Sequence, residues 1–290
     1  MKFAAFSGAF IEFSLQEAME TTKELGFDGI EIACREPHLS AQTPRHQMEE
    51  IKQIANYYHL EIPALAGYMG HFSSLSDYDC EKEFTDFEKI LESATILDVD
   101  MIRVFPGGPN AFLAIDEHYE KAAYWIKKCS LLAKQFNKKV IVEIHNNSLV
   151  ETVEDAIRIL TMIEEDNVGL IHDAGNMYIT DTDFGRDSVF GLGDRLFHIH
   201  VKDEKRINQA GMAGTFTNRT RHGEESFMQC LLGEGEVDHK PLFGALQEIR
   251  YDKWITLECA APYPAKERMA HDLHVVKQQL NELTHLYKRE

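Results

Sequence analysis

Short apolar runs alternate along this chain with longer stretches in which hydrophobic residues return every three to four positions. One unit recurs. An amphipathic stretch ends, a short polar or glycine-containing link follows, and a few apolar residues lead into a polar one. The unit is legible in ELGFDGIEIACRE (24–36), ILDVDMIRVFPGG (96–108), QFNKKVIVEIHNN (135–147), EEDNVGLIHDAGN (164–176), GDRLFHIHVKD (193–203) and EIRYDKWITLECA (248–260). HLEIPALAGYMG (59–70) is a weaker copy, and KFAAFSG supplies a first strand, read as such and not as a signal peptide. Helical spacing marks 14–25, 44–59, 80–97, 118–136, 153–166 and 269–288. Strand-length apolar runs alternating with such helices predict a parallel sheet covered by helices. Eight copies predict closure into a single-domain (β/α)8 TIM barrel spanning 1–290. The open doubly wound rival would carry a GxGxxG after its first strand, and none is present.

No linker or low-complexity tract divides the chain. The longest connection runs from Asp203 to about Trp254, and its first part, EKRINQAGMAGTFTNRTRHGEE, is too polar for a core helix. A long loop at that place is expected to cover a site.

In a barrel of this kind, chemistry sits at the carboxyl ends of the strands. Reading those ends in order gives Glu143, Asp173, His200 and Glu258, on the fifth to eighth strands. Three converging carboxylates repel one another unless a cation sits between them. With one imidazole they form an oxygen-rich donor set suited to one divalent metal ion, Mn²⁺, Mg²⁺, Co²⁺ or Zn²⁺. The run LFHIHVKD (196–203) sharpens the point. Alternate residues of a strand share a face, so His198, His200 and Lys202 line up and need polar partners. Glu31 and Arg103, within the second and fourth strands, are expected to form an inward ion pair.

Composition narrows the function. With 48 acidic against 30 basic residues the net charge is -18, which opposes nucleic-acid binding. No apolar run reaches membrane-spanning length. The five cysteines are scattered, form no CxxC pair, and fit free thiols in a reducing cytoplasm. FPGGPN (105–110) reads as a turn, and GEGEVD (233–238) lacks the GK[ST] ending of a P-loop.

The segments VEIH (142–145), HDAGN (172–176), HIHVKD (198–203), GEGEVD and ITLE (255–258), in this order, resemble the sugar phosphate isomerase/epimerase family with the xylose isomerase-like barrel. That group includes ketose 3-epimerases, hydroxypyruvate isomerase, inosose dehydratase, 3-dehydroshikimate dehydratase and, more remotely, endonuclease IV. The resemblance implies metal ligation by Glu143, Asp173, His200 and Glu258, with Glu143 and Glu258 also exchanging protons with the substrate. It implies substrate contact at Arg206, and at Asn176 in place of a histidine. It also implies association into a homo-oligomer. The KD pair, Lys202 and Asp203, is similar to the inosose-type branch rather than to the ketose epimerases.

The expected function is therefore a metal-dependent isomerase or epimerase of a small carbohydrate or keto-acid substrate. It would remove a proton next to a carbonyl, with the resulting charge spread onto the carbonyl oxygen. Dehydration of a cyclic keto substrate is the alternative, kept open by Lys202. Lys202 and Arg206 are expected to hold the substrate, His145 and His71 to line its pocket, and His198 to support the site from below. A DNA repair nuclease and a non-catalytic sugar-binding barrel are the more distant rivals.

Overall fold

The computed structural model describes residues 1–287, with side chains described through 284. Lys288, the last residue of the expected terminal helix, lies outside the described residues.

All eight expected strands form. They are β1 (Lys2–Phe6), β2 (Gly29–Ala33), β3 (Ala64–Ala66), β4 (Met101–Arg103), β5 (Lys139–Glu143), β6 (Val168–Asp173) and β7 (Leu196–Val201), with Trp254–Leu257 as the eighth. They close into a parallel barrel in which each strand pairs with its neighbours in sequence order and the eighth returns to β1. β2 and β6 are buried along their whole length, as strands covered on both faces must be. The six expected helices are α1 (Leu15–Glu24), α2 (Arg45–Tyr57), α3 (Asp77–Leu97), α4 (Asp116–Gln135), α5 (Val153–Ile163) and the carboxy-terminal Ala265–Tyr287.

Local chemistry sets several boundaries. Ser14 caps α1 and Glu17 reaches back to the Ser14 N–H at 2.8 Å, a reciprocal box that satisfies two orphan donors. Thr152 and Asp155 do the same for α5. Three further helices were not expected: α6 (Ala174–Ile179), α7 (Arg186–Leu192) and α8 (Lys240–Glu248).

The connection after β7 differs most from expectation. It is not an irregular loop but a three-stranded antiparallel sheet of β8 (Asp203–Ile207), β9 (Thr215–Thr220) and β10 (Gly223–Cys230), in the order β8-β10-β9. The eighth barrel strand is therefore β11 (Trp254–Leu257), and the last helix is α9 (Ala265–Tyr287). TFTNRT and GEESFMQC pair across a tight turn, with Thr220 opposite Gly223 at φ 109°. Strand pairing satisfies backbone groups without a large apolar side-chain content, so a polar segment can still be sheet.

The barrel interior is layered. Ala64, Met101, Ile141 and Ile171 form an apolar plug at the amino-terminal end. Two residues further along β4, β5 and β6 come the inward polar groups Arg103, Glu143 and Asp173. On the β1–β3 side, Phe6, Ala33, Ala66 and Tyr68 make an apolar wall instead. One half of the mouth is thus polar and the other half is apolar.

Candidate active site

His198, His200 and Lys202 of LFHIHVKD share a set of acidic partners. His198 Nε2 lies 2.8 Å from Glu31 and 2.9 Å from Thr256 Oγ1. His200 Nε2 lies 3.1 Å from the same Glu31 oxygen, while its Nδ1 faces Glu258 at 3.1 Å, Glu143 at 3.4 Å and Asp173 at 4.0 Å. Lys202 Nζ lies 2.8 Å from Asp173 Oδ2 and 3.4 Å from Glu258 Oε2.

The four expected ligands converge. One donor atom each from Glu143, Asp173, His200 and Glu258 lies within 4.8 Å of the others. Glu143 ends β5, Asp173 ends β6, His200 is in β7 and Glu258 follows β11 directly. Asp173 has two tasks, since its Oδ1 also caps α6 by accepting from the Asn176 N–H at 2.9 Å. That cap fixes the carboxylate and leaves Oδ2 turned toward the cluster.

The electrostatics fit a divalent cation. Among the described residues, Glu31, Glu143, Asp173 and Glu258 pair with one guanidinium, Arg103, and one ammonium, Lys202. With neutral imidazoles the cluster keeps an excess of two negative charges, buried where such an excess is costly. Burial pushes the Glu143 carboxyl up, but Arg103 and His200 outweigh it and hold it well below the usual range. Burial likewise raises Glu258, and His200 and Lys202 bring it below its ordinary value. At Asp173 burial wins over Lys202, and the carboxyl rises to about 6. Burial works against the charged form of His200, yet Glu258 and Glu31 hold its imidazole protonated well above the ordinary value. The cage thus gathers positive charge onto its own side chains. His200 can ligate through Nδ1 once that proton leaves, with Nε2–H kept on Glu31 as an orienting hydrogen bond.

Glu31 and Arg103 do not pair with each other as expected. Glu31 is claimed by the two histidines, while Arg103 donates to Glu143 Oε2 at 2.6 Å and to the Gly67 carbonyl at 3.3 Å. Arg103 on β4 pairs with Glu143 on the adjacent β5, Glu31 on β2 reaches the histidines of β7, and β3 separates the strands of Glu31 and Arg103.

Of the expected substrate residues, Asn176 donates to Glu143 Oε1 at 3.0 Å and to the Ile144 carbonyl at 3.3 Å. His145 and His71 gather around Phe105, His71 stacked at 5.1 Å and His145 edge-on at 5.7 Å. Tyr68 lies between the guanidinium groups of Arg35 and Arg103, 5.2 Å from each. The Arg206 guanidinium is engaged by Asp181 at 2.7 Å and Glu225 at 3.2 Å, and packs over Tyr178 and Phe227. It ties the three-stranded sheet to α6.

Two carboxylates play parts that the sequence reading did not assign: Asp203, noted there only as half of the KD pair, and Glu204. Asp203 Oδ2 accepts from the Gly233 and Gly235 N–H groups at 2.8 and 3.0 Å, and Oδ1 from Val237 at 3.1 Å. The lysine–aspartate pair thus joins the site to the GEGEVD loop. A Cβ on Gly235 would come within 2.1 Å of Asp203 Oδ1 and 2.7 Å of the Glu204 carbonyl, so only glycine permits this approach. The glycines were the available signal. The second, Glu204, is 2% exposed, and burial, only partly offset by Lys202, raises its carboxyl to about 7. Nothing in its sequence context distinguishes it from a solvated charge.

A closed parallel barrel with three carboxylates and an imidazole at its carboxyl end defines a metal-capable barrel. A family model described as a xylose isomerase-like TIM barrel matches residues 19–279, and the chain belongs to that family. Among curated relatives, an inosose dehydratase of Mesomycoplasma hyopneumoniae (strain J) is 26% identical over 294 residues, 95% of this chain and 89% of that protein. An inosose dehydratase of Lacticaseibacillus casei is 30% identical over 155 residues, 52% of this chain. In that second match the chain spans about half the relative's length, 50%. Solved structures share the fold. The probable 3-DHS dehydratase AsbF from Bacillus anthracis superposes with a TM-score of 0.79 at 21% identity, covering 96% of this chain and 99% of that one. The IOLI protein with a binding zinc atom superposes with a TM-score of 0.79 at 18% identity, over 98% and 99% of the two chains. An L-ribulose 3-epimerase superposes with a TM-score of 0.78 at 16% identity, over 99% and 97%. Among the described residues no helix is long and apolar enough to cross a membrane, and all five cysteines are free thiols.

Proposed function

We propose that this protein is a divalent-metal-dependent dehydratase acting on a small cyclic keto substrate. The observation that carries the reading is Lys202, whose ammonium lies within 3.4 Å of both Asp173 and Glu258. A proton donor is thereby set beside a proton acceptor. The inosose dehydratases among the relatives point the same way.

Glu143, Asp173, His200 and Glu258 would hold the ion, with Mn²⁺, Mg²⁺, Co²⁺ or Zn²⁺ all compatible with the donor set. Bound there, it would supply Lewis-acid polarisation of the substrate carbonyl. Glu258 is the most accessible of the four, its side chain 10% exposed against 0–1% for the others. It takes the proton from the carbon next to the carbonyl. Lys202 gives a proton to the β-hydroxyl, which leaves as water while the carbon–carbon double bond forms. Arg103 and Asn176 hold Glu143 from two sides, so it positions more than it shuttles. The apolar wall of Phe6 and Tyr68 suits the flat face of a ring.

Isomerisation or epimerisation is the second reading, favoured by the presence of two glutamates, on β5 and after β11, in the same cluster. Incubation of the Mn²⁺-loaded protein with an inosose and with 3-dehydroshikimate in D₂O separates the two. Dehydration yields a conjugated, ultraviolet-absorbing product. Deuterium incorporation and an epimer without loss of water would overturn it.

A further inference from the structure

The three-stranded sheet lies against the polar side of the barrel mouth. Contacts to the loops after β4 and β5 are made by β9, where Asn147 Nδ2 donates to Asn218 Oδ1 and Asn110 Nδ2 donates to the Arg219 carbonyl at 3.2 Å. Glu204 belongs to this sheet, opposite Gln229, and shares its face of β8 with Arg206, opposite Phe227. That face is the buried one: Glu204, Asn218 and Phe227 are 2%, 5% and 0% exposed. The charges acting on the Glu204 carboxyl are Lys202, Asp173, Asp203 and Glu258, the groups of the candidate active site and its anchor. Yet the carboxyl takes no hydrogen bond and no ion pair among the described residues, and its Oε2 is sealed from solvent. Asp203 next to it has three backbone donors. Buried polar groups are nearly always satisfied, so this exception calls for an explanation, and its place beside the charged cluster points to a group brought by a ligand.

We propose that Glu204 contacts the substrate, hydrogen-bonding a ring hydroxyl next to the atoms held at Lys202 and Glu258. It selects a neutral polyhydroxylated ring over one bearing a carboxylate at that position. The site already holds Glu143, Asp173 and Glu258, and Lys202 is shared between two of them. Once Glu204 is ionised, above about pH 7, a substrate carboxylate beside it would meet like charge, whereas a hydroxyl can donate to it. This inference rests on the cyclic-ketone reading above.

The test uses the Mn²⁺-loaded full chain. An inosose reports turnover, an inositol, which lacks the ketone, reports calorimetric binding, and 3-dehydroshikimate is the anionic control. Glu204→Leu is expected to weaken inositol binding and raise KM for the inosose by about tenfold or more, with kcat held within about threefold. Glu204→Gln, still able to hydrogen-bond, stays within about threefold of the parent. Metal content and thermal midpoint stay unchanged in both. Glu204→Asp, which keeps the charge and withdraws it by one methylene, weakens inositol binding about fivefold and serves if the leucine variant does not fold. Equal inositol affinity in parent and variants overturns the role of Glu204 alone. Tighter binding of 3-dehydroshikimate than of the inosose by the parent overturns the selectivity. A parent that binds neither ring overturns the cyclic-ketone reading as well.

Discussion

Lys202 Nζ sits 2.8 Å from Asp173 Oδ2, so a lysine occupies one side of the same anionic cage that a divalent ion would enter. Its ammonium and the ion are competitors for Asp173 and partners for Glu258. Lys202→Met should therefore keep or tighten metal binding while lowering kcat by about 10²-fold or more, the loss of a positioned proton donor. Calorimetric Mn²⁺ titration and steady-state kinetics on the same preparation check both halves. Loss of metal with retained turnover would contradict the assignment.

Metal affinity should rise with pH. Glu258 and Glu31 hold the His200 imidazole protonated above its ordinary value, against the effect of burial. Ligation needs the neutral ring, so each ion bound near neutral pH should release about one proton. Titrations in buffers of different ionisation enthalpy measure that number. His200→Gln should abolish the release.

Glu31 orients both histidines from beneath the cluster, at 2.8 and 3.1 Å. Glu31→Gln leaves the four expected ligands in place but takes the anion from His200. Metal affinity should fall by about 10–100-fold. Unchanged affinity would show that the hydrogen bond to His200 plays no part in ligation.

Asp203 holds three backbone N–H groups of the 233–237 loop. Asp203→Ala strands those donors and should lower unfolding stability by about 3 kcal/mol. Gly235→Ala should do comparable damage through its contact with the same carboxylate. Denaturant midpoints at constant m-value measure both.

Asp272 gives a pH dependence of stability away from the site. Burial raises its carboxyl to about 6, above the ordinary 3.8, though Leu232 N–H donates to it. The folded state therefore binds the proton more tightly than the unfolded state. Its contribution is fully present below about pH 4 and is lost as pH rises through about 6. Asp272→Asn should be neutral at pH 4 and stabilising at pH 8, by on the order of 2 kcal/mol. Thermal midpoints of the two proteins across that range decide it.

The barrel was legible because buried parallel strands leave unmistakable apolar runs, each ended by the polar residue that faces the mouth. The quartet was legible for the same reason, since Glu143, Asp173, His200 and Glu258 all terminate such runs. Pairing within the barrel was not. The sequence puts Glu31 and Arg103 on inward faces but says nothing of who stands opposite, and the histidines of β7 and Glu143 proved to be the partners. The sheet of β8 to β10 was hidden by its polarity, because its strands are sheltered on one face only. Glu204 followed from that, since a glutamate in a loop and one on the inner face of a sheet look alike in sequence.

The central claim is that Glu143, Asp173, His200 and Glu258 grip one divalent ion. It is tested most directly by Mn²⁺ binding to chelator-stripped protein, followed by electron paramagnetic resonance, in the parent and in Asp173→Asn. The account predicts about one tightly bound ion per chain in the parent and affinity lowered by about 10²-fold or more in the variant. Mn²⁺ that stays free in the parent at millimolar concentration, or that binds equally well to Asp173→Asn, would contradict it.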